Sequence, residues 1–221
     1  MKENWQLKIN FIEYKMELIN TLKHGLQQLK IDLPISDQTK ILDYLKLLEK
    51  WNKVYNLTAI NNIEQMLPKH VFDSLAVLPY IRGERILDVG TGAGLPGLLL
   101  AIINPNWQYV LLDSNAKKIR FIKQAIIELN IKNVTTICIR TEDLEPEEFN
   151  TVISRAYADI HLFYTQTVKF INKNGCLLAM KGIYPEAEIT VMKQLPINIT
   201  AIALQIPQLA AQRHLIEITL K

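Results

Sequence analysis

In the first third of the chain apolar residues recur every three or four positions, and from Gly83 onward short apolar runs alternate with stretches of helical spacing. Ile41, Tyr44, Leu45, Leu48, Trp51 and Tyr55 fall on one face of a helix, which Ser36 and Asp37 are suited to start. Asn62, with Gln65 three residues on, has the form of a capping box. Leu67, Val71, Leu75 and Leu78 continue at helical spacing until Pro79 interrupts them. Residues 5–30 also read as helix, with weaker start and stop signals. Beyond Gly83 the pattern predicts strand 85–89, a glycine loop, helix 95–103, strand 108–112, helix 115–129, strand 134–139 and strand 151–154. A helix near 160–171 precedes strand 176–180, a short helix near 186–195, and two closing strands near 198–205 and 213–220.

Strands that alternate with helices imply an α/β fold whose mainly parallel sheet is covered on both faces, because parallel neighbours need crossover connections. The last two strands follow one another without a helix, so one antiparallel strand is expected at the end. The change of texture at Arg82 and Gly83 divides the chain into an N-terminal helical extension, 1–82, and a sheet domain, 83–221.

Composition agrees with a folded, soluble protein: hydrophobic residues make up 49% and charged residues 21% of 221 positions, which excludes a disordered tail or a coiled-coil rod. The longest apolar run, Gly94 to Ile103, is about half the roughly twenty residues that a membrane span needs. No signal-like stretch opens the chain, so the cytoplasm is the expected compartment. The net charge of +3 and isoelectric point near 8.7 confine any contact with a polyanion to a local patch. Cys138 and Cys176 lie in segments that read as buried strands, and neither has a metal-ligand neighbour at a useful spacing. Both are expected to pack as small hydrophobes, with no metal.

Chemistry concentrates between Ile86 and Gly97, where Asp88-Val89-Gly90-Thr91-Gly92-Ala93-Gly94 carries a strand into clustered glycines and then into a helix. In an open parallel sheet, ligands bind beyond the carboxyl ends of the strands, which is where this loop lies. Asp113 ends the next strand, where a carboxylate can accept from both ribose hydroxyls of a nucleoside. Two cofactors suit this arrangement. Gly92, Gly94 and Gly97 satisfy the dinucleotide pattern, which would make the chain a nicotinamide-dependent oxidoreductase. That frame starts late, because Asp88 stands at the strand end with Gly90, Gly92 and Gly94 after it. An acid at that tip repels a pyrophosphate and attracts the ammonium of an amino-acid tail, so the frame favours S-adenosylmethionine. A loop that merely turns the chain is the bland alternative.

If a methyl group is transferred, its acceptor can be narrowed. The Asn/Asp-Pro-Pro-aromatic element common in amino-group methylases is missing, its place reading Ile153-Ser154-Arg155-Ala156-Tyr157. A pyrimidine-carbon methylase needs an accessible nucleophilic cysteine, and both cysteines read as buried. A ring nitrogen with a free lone pair, such as guanine N7, needs no proton removed, in keeping with the lack of an obvious base. Lys117, Lys118 and Arg120 sit in the first turns of the helix after Asp113, where cations are unfavourable unless something such as phosphate offsets them; a solvated helical face is the alternative. Arg140, Arg155 and Lys181 end strands and project toward the same edge, as RNA contacts or as structural ion pairs. His70, beside Lys69, is either a site residue or a packed histidine.

Taken together these segments resemble the ribosomal small-subunit RNA guanine-N7 methyltransferase G family, formerly called glucose-inhibited division protein B. The likeness runs from about residue 20 to the end. It rests on Trp51 to Thr58, Lys69 to Ser74, Asp88 to Gly97, Leu111 to Ser114, Ile153 to Ala156, Met180-Lys181-Gly182 and Arg213-His214-Leu215. The glycine run alone indicates a methyltransferase; the ensemble in this order is specific to the family. The resemblance implies a Rossmann-like class I S-adenosylmethionine-dependent methyltransferase, a mostly parallel sheet of seven strands with an N-terminal helical extension. It further implies a guanine of 16S ribosomal RNA as acceptor; the partner is expected to be the small ribosomal subunit or an assembly intermediate, and the chain is expected to act as a monomer. Implied cofactor contacts are Gly90, Leu95, Thr141, Glu142 and Arg155, to which the reading of the residues adds Asp88, Gly92 and Asp113. By analogy His70, Lys117, Arg140, Lys181 and Arg213 form a basic surround for RNA, and the N-terminal helices help to unstack the acceptor base. Two rivals stand beside this reading: the oxidoreductase, and a non-catalytic RNA-binding or ribosome-assembly module that keeps the sheet without the chemistry.

Overall fold

Among the residues that the computed structural model describes, 2–157 and 159–221, seven strands form a single sheet. They are β1 (Arg85–Val89), β2 (Gln108–Leu112), β3 (Val134–Ile137), β4 (Phe149–Arg155), β5 (Ile171–Lys181), β6 (Ile197–Ala203) and β7 (His214–Leu220), in the spatial order β3-β2-β1-β4-β5-β7-β6. Strands β1 to β5 pair in parallel. β7 is the reversed strand, inserted antiparallel between β5 and β6. The register sets Asp88 between Leu111 and Ile153, so the tips of β1, β2 and β4 end at one edge.

Alternation along the strands feeds two cores. Ile86, Ile153 and Leu178 face α1 (Lys2–Gln28), α2 (Ile35–Tyr55), α3 (Ile63–Met66), α4 (Asp73–Leu75), α5 (Gly97–Ile103) and α6 (Ala116–Glu128). Their neighbours Leu87, Val152 and Leu177 face α7 (Ile160–Thr167) and α8 (Glu186–Met192). Residues of the helical extension therefore share an apolar core with one face of the sheet. The predicted stripe of α2 is that contact: Ile41, Tyr44, Leu45 and Leu48 are fully buried. The Tyr44 hydroxyl donates to Ala93 O at 2.8 Å, joining the extension to the glycine loop.

Several boundaries differ from expectation for local reasons. α2 starts at Ile35, with Ser36 and Asp37 inside its first turn, and Gln38 reaches back to Leu33 O at 2.8 Å. Asn62 does cap α3, accepting from Gln65 N–H at 2.9 Å. Between α3 and α4 the chain forms a π-helical turn, Leu67–Phe72, in which Asp73 N–H reaches Pro68 O as well as His70 O. Pro68 has no N–H for the α-helical ladder, so the regular pattern is already interrupted there. β5 begins at Ile171 because Asn172-Lys173-Asn174 is the solvent-facing start of a strand, although its polarity reads as loop. β3 stops at Ile137, which leaves Cys138 exposed and corrects its expected burial; Cys176 is buried inside β5. No described helix is long and apolar enough to cross a membrane, and the described residues hold no cluster of potential metal ligands.

Candidate active site

The glycine loop is fixed from beneath by carboxylates. Thr91 N–H donates to Leu112 O at 3.0 Å, and Ser154 Oγ donates to Val89 O at 2.6 Å, so both neighbouring strands hold its start. Asp88 is fully buried, not the open tip that the sequence implies. Its Oδ2 accepts from Thr91 Oγ1 at 2.6 Å and from Gly97 N–H at 2.8 Å. Burial pushes the Asp88 carboxyl up to about 6 against the pull of those two donors, and its Oδ1 has no partner among the described residues. Only glycine fits at position 97, where a Cβ would come within 2.3 Å of Leu111 Cδ2 and 2.7 Å of Asp88 Oδ2.

These bonds decide between the two cofactor frames. The N–H of Gly92 is taken by Asp113 Oδ2 at 2.9 Å, and the first N–H of α5 is taken by Asp88. The groups that a pyrophosphate would use already face internal carboxylates. Gly90, by contrast, has φ +67 and nothing within 4 Å of where its Cβ would lie, so bare backbone opens onto free space.

That space is a crevice of about 330 Å³ lined by Gly90, Asp113, Arg140, Thr141, Glu142 and Tyr157, among others. Beside it lies a cleft of about 470 Å³ lined by Lys69, His70, Asp73, Arg155, Lys181 and Arg213, among others. Ala156, just past β4 and at φ +63, lines both. A donor in the crevice and an acceptor in the cleft would thus meet at the tip of β4, where the irregular backbone supplies no side chain larger than a methyl group.

The expected site residues divide between these spaces. Asp113 borders the crevice, its Oδ2 faced by both Gly92 N–H and, at 3.7 Å, Lys118 Nζ, while its Oδ1 accepts from Asn115 N–H at 2.8 Å and keeps a second lone pair for another donor. Thr141 and Glu142 line the crevice on a 3₁₀ turn, and Arg140 joins them there and not in the basic cleft. Arg155 lies in the cleft instead of the crevice. Leu95 is buried in the core under the loop, so its side chain lines neither space. Lys117 is exposed on α6 and borders neither. Lys181 is in the cleft, its Nζ 2.9 Å from Glu188. His70 is not part of a cationic surround: burial and the nearby Arg155 push its pKa down to about 4, leaving it neutral. In the neutral ring Nδ1–H donates to Lys69 O at 3.0 Å and Nε2 accepts from the Thr58 hydroxyl at 2.9 Å.

Asp73 carries a role that the sequence did not disclose. Buried itself, it receives Arg213 Nε at 2.8 Å and Arg155 Nη1 at 3.4 Å on its two oxygens. One carboxylate thereby holds two guanidinium groups at the cleft wall, with one positive charge in excess. Its partners stand 82 and 140 residues away, so no local spacing signals the pairing. The π-helical turn that ends at its N–H sets Asp73 and His70 on the same wall.

Residues 37–216 match the family described as rRNA small subunit methyltransferase G. The chain belongs to that family. This methyltransferase is 46% identical over 200 residues to the Ribosomal RNA small subunit methyltransferase G of Nitrosococcus oceani, covering 90% of this chain and 94% of the relative. It is 51% identical over 174 residues to that of Legionella pneumophila, covering 78% and 82%. Its fold is similar to a SAM dependent methyltransferase from Aquifex aeolicus, with a TM-score of 0.58 and 14% identity over 75% of this chain and 97% of that one. It is also similar to a glycopeptide N-methyltransferase complexed with S-adenosylhomocysteine, with a TM-score of 0.59 and 8% identity over 68% and 90%. The methyltransferase therefore uses S-adenosylmethionine and acts on RNA, and neither the oxidoreductase nor the non-catalytic module survives as a reading. The open backbone at Gly90 and the spare acceptor capacity of Asp113 fit such a donor.

Proposed function

We propose that this methyltransferase transfers a methyl group to N7 of one guanine in 16S ribosomal RNA, presented by the small ribosomal subunit or an assembly intermediate, and that it works as a monomer in the cytoplasm. The observation that carries the choice of atom is the engagement of the two buried base-like groups of the cleft wall, Asp73 and His70. Asp73 is held by two guanidinium groups and His70 has both ring nitrogens bonded, while His214 donates Nδ1–H to Gly182 O at 2.9 Å and keeps Nε2 as the one ring nitrogen of the cleft with no bond among the described residues. An amine or hydroxyl acceptor must shed a proton on methylation, whereas N7 attacks through a lone pair and needs none removed. Alignment and electrostatics then account for the rate.

Bound S-adenosylmethionine supplies an electrophilic methyl group with a neutral thioether as leaving group. Gly90 and Gly92 would lie against its amino-acid portion, Asp113 would accept from its ribose hydroxyls, and Thr141 and Glu142 would border its base. Asp88 and Leu95 act from beneath, holding the loop in shape. Arg155, Lys181 and Arg213 offer N–H donors to guanine O6 and to phosphates around it, and Arg140 and Lys117 extend the positive surface outward. Small subunits from cells lacking this activity, incubated with the enzyme and tritiated donor, should gain label on 16S RNA. Primer extension after borohydride and aniline treatment should then stop at a single guanine. Label on another atom, on protein, or on no RNA would overturn the proposal.

A further inference from the structure

We infer that Ile183 and Tyr184 form an apolar tip that receives unstacked RNA bases flanking the acceptor guanine, an inference that rests on the RNA reading above. Both residues follow Gly182, which lines the cleft, and they are 80% and 45% exposed. The tip is held from behind: His214 Nδ1 meets Gly182 O at 2.9 Å, and the Tyr184 ring stands edge-on to the His214 imidazole with centroids 5.6 Å apart. His214 is itself registered opposite Lys181 in the sheet.

The charges around the tip say which part of a nucleic acid it can meet. Toward the cleft stand Arg155 and Arg213, which share the single charge of Asp73 and so keep one positive charge to draw phosphate, while Lys181 is paired with Glu188 at 2.9 Å; on the other side stands Glu186, which repels phosphate. A polyanion anchored by the two arginines brings uncharged surface, its bases, over Ile183 and Tyr184. Extracting a guanine from folded RNA leaves its neighbours without a stacking partner, and aliphatic wedges and aromatic rings are the side chains that replace one. Ile127 offers an internal comparison, being 73% exposed at the C-terminal end of α6, which runs away from the active edge.

The test uses the intact protein with small subunits. Tyr184→Ala and Ile183→Ala are expected to raise KM for the subunit about 10-fold, by analogy with the loss of one stacked base. Tyr184→Phe should stay within about twofold of wild type, and Ile127→Ala should match it. Binding of S-adenosylhomocysteine should be unchanged in all four, and so should the slope of log Kd against log salt, because no phosphate contact is removed. With p-benzoylphenylalanine in place of Tyr184, irradiation should give an adduct on RNA within a few nucleotides of the methylated guanine. An adduct on a ribosomal protein or on distant RNA, or Tyr184→Ala and Ile183→Ala variants with wild-type KM, would overturn the inference. Wild-type enzyme that labels no RNA overturns the underlying reading instead, and that result is read first.

Discussion

Replacing Asp73 by Asn isolates what one buried anion does for two arginines. The substitution keeps shape but removes the charge that receives Arg213 Nε at 2.8 Å and Arg155 Nη1 at 3.4 Å. Breaking a fully sealed ion pair costs about 3–5 kcal/mol, chiefly through the charge left behind. Here the arginine side chains are 23% and 27% exposed and can turn to water, which lowers the expected loss to about 2 kcal/mol. For a domain of this size that is a fall in Tm of about 4–8 °C. Two consequences for function should move in opposite directions. Turnover falls, because the guanidinium groups are no longer aimed, while non-specific RNA binding tightens, because they become free for phosphate. Binding isotherms at several salt concentrations should give a slope of log K against log salt steeper by about 0.7–0.9, the share of one added phosphate. Unchanged slope with binding and turnover lost together would refute the idea that Asp73 withholds and orients these charges.

Further outcomes follow from the buried loop and its neighbours. Between pH about 4 and about 6 the folded chain keeps a proton on Asp88 that an ordinary carboxyl near 3.8 has released, so this group makes stability fall as pH rises. Between about 4 and 6.5 the unfolded chain protonates His70 and the folded chain does not, so this group makes stability rise with pH. Each effect is about 3 kcal/mol, and they oppose one another across most of the window. Urea unfolding from pH 4.5 to 7 should show a rising profile for Asp88→Asn, a falling one for His70→Asn and a flatter one for wild type; identical profiles would count against both assignments. Gly90→Ala places its methyl group in open space at a strained φ and should cost about 1–2 kcal/mol while weakening S-adenosylhomocysteine binding by calorimetry. Gly97→Ala drives its Cβ into Leu111 and Asp88, so it should lower Tm more than Gly90→Ala does; the reverse ranking would mean that the loop is not packed as described.

What was legible in the sequence was whatever is encoded locally. β1 and β2 occupy the predicted spans, because an apolar run bounded by turn residues has few other ways to be buried. The glycine loop was legible as a turn from strand to helix for the same reason, its glycines lying within one strand-loop-helix unit. Direction was harder: Asp88 was recognisable as important, yet only the register shows its carboxylate turned under the loop toward Gly97. The cleft was the least legible. Its wall depends on a π-helical turn that follows the same apolar spacing as an ordinary helix, and on pairings between residues that meet only when the sheet closes. Cys138 was misjudged because β3, at the sheet margin, ends one residue before it.

The two cavities draw on the polypeptide in different ways. The crevice is assembled largely from one continuous stretch between Gly90 and Gln166, while the cleft gathers residues from Ile60 to His214 and shares Ala156 with the crevice. On the proposed reading, changes in the segments that only the cleft draws on would retune which nucleotide is admitted and leave the crevice intact. Because β7 runs backward, Arg213, just before its first residue, comes to the cleft beside the tip of β5; had β7 run parallel, the same residue would lie at the opposite edge of the sheet.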